Sequence, residues 1–203
     1  IFNRPLGSSP RDRIKILKRA HMKFNSALET EVKIRIPNIS STRDLLESLG
    51  FRKEVEMQEE ISTLWDSNGL LRSKQSALRL RVYAGETLLT YKGTRLPHSE
   101  FKIRPESEVI VSDRDEMESI LRYLGYEPML TMIKHREIWN RPELTACIDE
   151  TPFGLYLELE GEPSAIKLAM ETFCKDPGKV EKRDYPTLYE IYRLSEPSTE
   201  KTN

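Results

Sequence analysis

Polar and apolar side chains alternate along residues 27–36, ALETEVKIRI. Residues two apart share one face of a strand. Glu29, Glu31 and Lys33 therefore project to one side, and Val32, Ile34 and Ile36 to the other. The same period returns in Arg79-Leu80-Arg81, Arg104-Pro105-Glu106-Ser107-Glu108, Lys134-His135-Arg136 and Glu158-Leu159-Glu160. It predicts strands at residues 27–36, 57–66, 76–84, 86–94, 103–112, 132–140, 144–151 and 155–162, most of them joined as hairpins, with one turn at Ala84-Gly85. Helical spacing intervenes between them. Leu45, Leu46 and Leu49 follow a Ser40-Ser41-Thr42 cap and stop at Gly50, while residues 113–126 start from Ser112 or Asp113 and stop at Gly125. Residues 164–174 make a third helix, and residues 184–194 a last one beginning near Pro186.

The first strand and helix have an echo. Glu29-Thr30-Glu31-Val32 is answered by Glu106-Ser107-Glu108-Val109 at an offset of 77 (106 − 29), and Gly50 by Gly125 at 75 (125 − 50). Two halves of strand, helix and further strands predict a pseudo-twofold sheet. The fold class that follows is α+β: an eight-stranded antiparallel barrel or tunnel with helices packed outside. Apolar outer faces lie under the helices, and the charged faces line a wet lumen with room for side chains and a small ligand.

Composition narrows the partners. The chain has 203 residues and a net charge of −1, which suits one domain and supplies no global field for nucleic acid or an acidic membrane surface. Cys147 and Cys174 are neither a disulfide framework nor a zinc motif, and no apolar run is long enough for a membrane span. A cytoplasmic protein is expected. The tunnel domain is read as residues 26–194. Residues 1–25 are read as a basic arm or a foreign remnant, with a short helix near Arg11–Lys18, and residues 195–203 as a frayed tail.

Charged residues make up 32% of the chain, and the period-two pairs are sorted by sign, with acids in two strands, bases in two, and both in the Arg104 strand. Bases neutralise phosphate oxygens, while Asp and Glu hold hard divalent cations against the same phosphates. A polyanion bound through metal uses both. His21, His98 and His135 are poor catalytic candidates, because His135 alternates outward between Lys134 and Arg136 and the other two lie in an arm and a loop. Trp65, Tyr83, Tyr91 and Trp139 are read as core or outer-face aromatics.

ETEVK, followed in order by ALRLR, TYKG, an RxExE strand, LGY, KxRxxW, Asp149 and YLELEG, resembles the CYTH superfamily of triphosphate tunnel metalloenzymes, nearest its class IV adenylyl cyclase branch. The resemblance implies an eight-stranded tunnel and a Mg²⁺- or Mn²⁺-dependent reaction on a triphosphate. Glu29, Glu31 and Lys33 are its implied catalytic residues. Arg79, Arg81, Lys92, Arg104, Lys134 and Arg136 would bind phosphate. Glu29, Glu31, Glu106, Glu108, Asp149, Glu158 and Glu160 would hold metal. One departure is Ser62-Thr63-Leu64-Trp65-Asp66 where the family commonly has a DxYFD-like strand. Arg35 continues the first strand's charged face, either as a further phosphate contact or beyond the tunnel mouth.

The expected reaction is cyclisation of ATP to cyclic AMP and pyrophosphate. Hydrolysis of inorganic triphosphate, thiamine triphosphate or a nucleotide is the alternative, and a non-catalytic polyphosphate- or nucleotide-binding module a third. The expected partner is a triphosphate such as ATP or inorganic triphosphate, without nucleic acid or membrane, and a homodimer is left open.

Overall fold

The computed structural model describes residues 28–195 apart from residue 175; the expected arm, its short helix, His21 and the tail beyond Ser195 lie outside them. Period-two alternation yields eight strands: β1 (Leu28–Arg35), β2 (Arg52–Asp66), β3 (Ala77–Tyr83), β4 (Glu86–Lys92), β5 (Lys102–Val111), β6 (Glu127–Arg141), β7 (Leu144–Thr151) and β8 (Gly154–Gly161). They form a closed antiparallel barrel in the order β1-β5-β4-β3-β2-β6-β7-β8, with β8 pairing back onto β1. Around it lie α1 (Ile39–Ser48), α2 (Leu70–Ser73), α3 (Arg114–Tyr123), α4 (Pro163–Phe173) and α5 (Tyr185–Ser195). Among the described residues no helix is long and apolar enough to cross a membrane.

The pairing reproduces the repeat in the sequence. Each half runs strand, helix and three strands. The two first strands pair with each other, Glu29 opposite Arg104, and so do the two second strands, Glu60 opposite Lys134. Gly50 and Gly125 end α1 and α3 with φ of +79° and +81°, the left-handed conformation in which glycine has no side chain to clash.

Several details differ from the sequence reading. The cap of α1 is Asn38, whose side chain accepts from the Ser41 N–H at 2.8 Å; Ser40 and Ser41 are already helical. The one-turn α2 was not expected. It forms because the Asp66 carboxylate accepts from the N–H groups of Ser67, Leu71 and Arg72, organising a turn too short to show periodicity. Strands β2 and β6 each run to 15 residues. Register shifts between Lys53 and Gln58 break the alternation that would have marked the full length of β2.

The hydrophobic core lies outside the barrel. Val32 and Ile34 of β1, Ala146 and Ile148 of β7, and Leu157 and Leu159 of β8 pack under Leu46 of α1 and Ile166 and Ala169 of α4. A smaller cluster places Trp65, Leu80 and Val111 beneath Leu121 of α3. Arg43 of α1 also reaches the buried outer-face carboxylate of Glu137 through two hydrogen bonds, at 2.6 and 3.1 Å, and Trp139 Nε1 donates to the same group. With the apolar faces covered, the charged faces can only turn inward.

Gly161 closes β8 beside the lumen with φ +155°, where a Cβ would lie 2.2 Å from the Glu143 carbonyl oxygen. Because backbone on both sides must move, Gly161→Ala is expected to lower unfolding free energy by about 2–3 kcal/mol, read by urea denaturation. An unchanged midpoint would show that this strand end gives way easily.

Candidate functional site

The barrel encloses a cavity of about 1080 Å³. Thirteen of the fourteen residues selected from the sequence line it: Glu29, Glu31, Lys33, Arg79, Arg81, Lys92, Arg104, Glu106, Glu108, Lys134, Arg136, Glu158 and Glu160. Asp149 is the exception. Its carboxylate is fully buried behind the wall, receives both arms of the Arg136 guanidinium at 2.6 Å each, and pairs with Lys134 at 3.1 Å. This is the position of a counter-ion that aims two cations.

The basic part of the wall is built around Glu60, a residue the motif reading missed. Arg81 lies 3.6 Å from its carboxylate, Lys134 3.7 Å and Arg136 3.8 Å, and Ser62 donates to it at 3.0 Å. Burial alone would raise its pKa, but Lys134, Arg136, Arg81 and Arg79 outweigh that and hold it well below the usual carboxylate range. Arg136 also binds Glu158, which takes Lys33 at 3.4 Å. Glu108 accepts from Arg81 at 3.0 Å and from Thr90 at 2.6 Å. The guanidinium groups keep spare capacity. The Nε atoms of Arg79 and Arg81 are buried without a hydrogen-bond partner among the described residues, and Arg79 makes only a long ion pair of 3.9 Å with Glu108.

The second part of the wall is acidic. Lys92 donates to both oxygens of Glu29, at 2.8 and 2.9 Å, and also to Glu106. Arg104 reaches Glu29 at 3.5 Å. Burial raises the Glu29 pKa against the pull of Lys92. Glu106 is depressed despite its burial, by a hydrogen bond shared with Glu29 and by Lys92. Glu31 stands opposite Glu160 in the β1–β8 ladder and meets Lys102 at 3.4 Å. No cation among the described residues approaches Glu160 to ion-pair distance. Burial, together with the carboxylates of Glu29, Glu106 and Glu31, pushes Glu160 up to about 8.

This donor set suits a hard divalent cation, since it consists of carboxylate oxygens, and at Glu29 and Glu160 burial raises the affinity for a proton. No three acids among the described residues converge into a finished cage. An ion such as Mg²⁺ can complete its shell with water and phosphate oxygens. Arg35 is no part of this wall; it stacks on Tyr156 at the barrel's end and pairs with Glu181 at 2.8 Å.

Residues 27–182 match the CYTH domain. A protein of Methanocaldococcus jannaschii named "Putative adenylate cyclase" is 33% identical over 144 residues, covering 68% of this chain and 79% of that one. The X-ray structure of a "putative adenylate cyclase" from Vibrio parahaemolyticus matches with a TM-score of 0.68 at 21% identity, over 80% of this chain and 98% of that one. A Hippeastrum protein described as a "putative adenylyl cyclase" with "a dominant" triphosphatase activity matches with a TM-score of 0.59 at 22% identity, over 81% and 96%. At these identities the two structures bear on the fold alone.

The raised pKa of Glu160 has a direct consequence for stability. Between the ordinary value of 4.5 and about 8 the native protein holds a proton that the unfolded chain has lost, so stability falls as pH rises through that window. In excess EDTA, Glu160→Gln is expected to match the wild type near pH 4 and to exceed it by on the order of 2 kcal/mol at pH 8. Urea denaturation across that range checks this, and parallel curves would contradict it.

Proposed function

Because the chain belongs to the CYTH domain family, we propose that the lumen is the active site of a divalent-metal-dependent enzyme acting on a triphosphate, with hydrolysis as its principal reaction. The observation that carries this reading is the pair of arginines, Arg79 and Arg81, whose Nε donors are buried and unpartnered among the described residues beside the cavity. Such donors call for an anion, and phosphate oxygens supply bidentate acceptors.

Arg79, Arg81, Lys134 and Arg136 would take the phosphate oxygens. Glu60 and Asp149 keep those cations aimed before substrate arrives, so little reorganisation remains as charge grows in the transition state. Glu29, Glu31, Glu106 and Glu160 would hold Mg²⁺ or Mn²⁺, which when bound neutralises phosphate oxygens and makes the phosphorus more electrophilic. A water oxygen attacks the terminal phosphorus, the bridging P–O bond breaks toward pyrophosphate, and a carboxylate of the acidic group accepts the water proton.

A second reading is favoured by the apolar part of the cavity lining. Leu64, Leu88, Ile110 and Met132 line it, and about 1080 Å³ exceeds the needs of triphosphate alone. An organic triphosphate such as ATP could place its base there and close its ribose hydroxyl onto the α-phosphorus, expelling pyrophosphate. The name of the Methanocaldococcus relative points the same way.

Two assays separate the readings. Purified protein with Mg²⁺ or Mn²⁺ is expected to release orthophosphate from inorganic triphosphate, and to lose this activity in excess EDTA and in Glu29→Ala or Glu31→Ala. Cyclic AMP from ATP without orthophosphate from triphosphate would instead establish the second reading, and full turnover in EDTA would sink both. Arg79→Ala is expected to lower kcat/KM by about 2–4 kcal/mol in transition-state stabilisation, with little change in unfolding midpoint.

A further inference from the structure

Tyr185, at the start of α5, contributes to the lumen from outside the barrel. Lys33 Nζ lies 3.6 Å from its ring centroid and Lys134 Nζ 4.5 Å. The two lysines come from β1 and β6, which β7 and β8 separate in the barrel. The hydroxyl of Tyr185 donates to Asp149 Oδ2, the oxygen that also receives Arg136 and Lys134. Its ring is wedged against Phe153 and Tyr156, with centroids 6.1 and 5.7 Å away.

The backbone leading to Tyr185 is fastened to the same wall. The Arg183 carbonyl accepts from Lys33 at 3.2 Å and from Lys102 at 3.3 Å, and the Glu181 N–H donates to the Lys33 carbonyl at 2.8 Å. Asp184 pairs with Arg95 at 2.6 Å.

We propose that Tyr185 is a positioning residue of the phosphate site: its ring gathers Lys33 and Lys134 into a two-cation clamp, and its hydroxyl fixes the carboxylate that aims Arg136. The inference rests on the triphosphate reading of the lumen. Lysine is a point charge on a long flexible stem, and two ammonium groups left alone repel. The negative face of an aromatic ring attracts both, so the ordering of the stems is complete before the anion arrives. Burial, with Asp149 and Glu158 adding to it, holds the phenol's pKa well above its ordinary value. The hydroxyl therefore remains a donor.

The test is calorimetric titration of inorganic triphosphate with Mg²⁺ into the wild type and into Tyr185→Phe and Tyr185→Leu. Each is also made in a background carrying Lys33→Ala and Lys134→Ala. Tyr185→Phe keeps the ring and is expected to bind within about threefold of the wild type. Tyr185→Leu is expected to bind about tenfold more weakly. In the background without Lys33 and Lys134 the same change should cost no more than the hydroxyl's share, within about threefold, because the partners of the ring are gone. A merely structural tyrosine would give the same loss in both backgrounds, which overturns the proposal, as does wild-type affinity in Tyr185→Leu. If Tyr185→Leu does not fold, phenylalanine and its fluorinated analogues at position 185 keep the shape while cancelling the ring's negative face. Stepwise weakening with fluorination supports the clamp, and a flat series overturns it. Absence of triphosphate binding by the wild type would overturn the reading of the lumen itself, and the clamp with it.

Discussion

Everything in this protein depends on balancing charge inside a closed wall. A barrel that covers its outer face with helices leaves its inner face no route to bulk water except through the mouths. An ion placed there unpaired would cost several kcal/mol in desolvation. The lumen is therefore a lattice of opposite charges in which each removal exposes a neighbour. Glu60 is its central member. Fully enclosed and facing Arg81, Lys134 and Arg136, it makes tolerable a concentration of positive charge that would otherwise push the strands apart.

The two halves share one plan but differ in chemistry. Glu31 and Glu108 are equivalent in the repeat, yet Glu31 faces Glu160 across the ladder while Glu108 faces Thr90. A hydroxyl opposite Glu108 supplies a hydrogen bond and leaves that carboxylate to an arginine. A second acid opposite Glu31, which itself meets Lys102, leaves Glu160 without a cation at ion-pair distance among the described residues. One exchange of residue type, at equivalent places in a symmetric sheet, thus separates the cation-rich part of the wall from the acidic part. The outer faces of the two first strands differ as well: Val32 and Ile34 of β1 are buried in the cluster under α1 and α4, whereas β5 places Val111 in the cluster under α3 and leaves Val109 more than half exposed.

The barrel was legible in the sequence because its signals are local. Alternation marked the strands, glycines marked the helix ends, and the repeated acids marked the halves. Residues whose importance comes from a distant neighbour were not legible. Glu59 and Glu60 are adjacent and identical in type, and only the register of β2 turns the second inward. Lys102 sits at the edge of a loop and becomes part of the wall through β1. Tyr185 looks like one of several aromatics in a helix until that helix is seen to start against the barrel's inner charges. Asp149 was found by resemblance, but its place behind Arg136 follows from packing that no spacing encodes.

Closure of the barrel also sets when the site comes into being. The β8 strand must return across the whole sequence to pair with β1, and the segment beyond it fastens Lys33 to Arg183, 150 positions away. Contacts so distant in sequence form after the entropy of a large loop has been lost, which makes such topologies slow to assemble. Until that last seam is made, the charged faces remain solvated strands without a shared enclosure, and their cations are spaced by the open sheet. The enclosed charged lumen therefore exists only once β8 has paired with β1 and the segment leading to the final helix has docked on that seam.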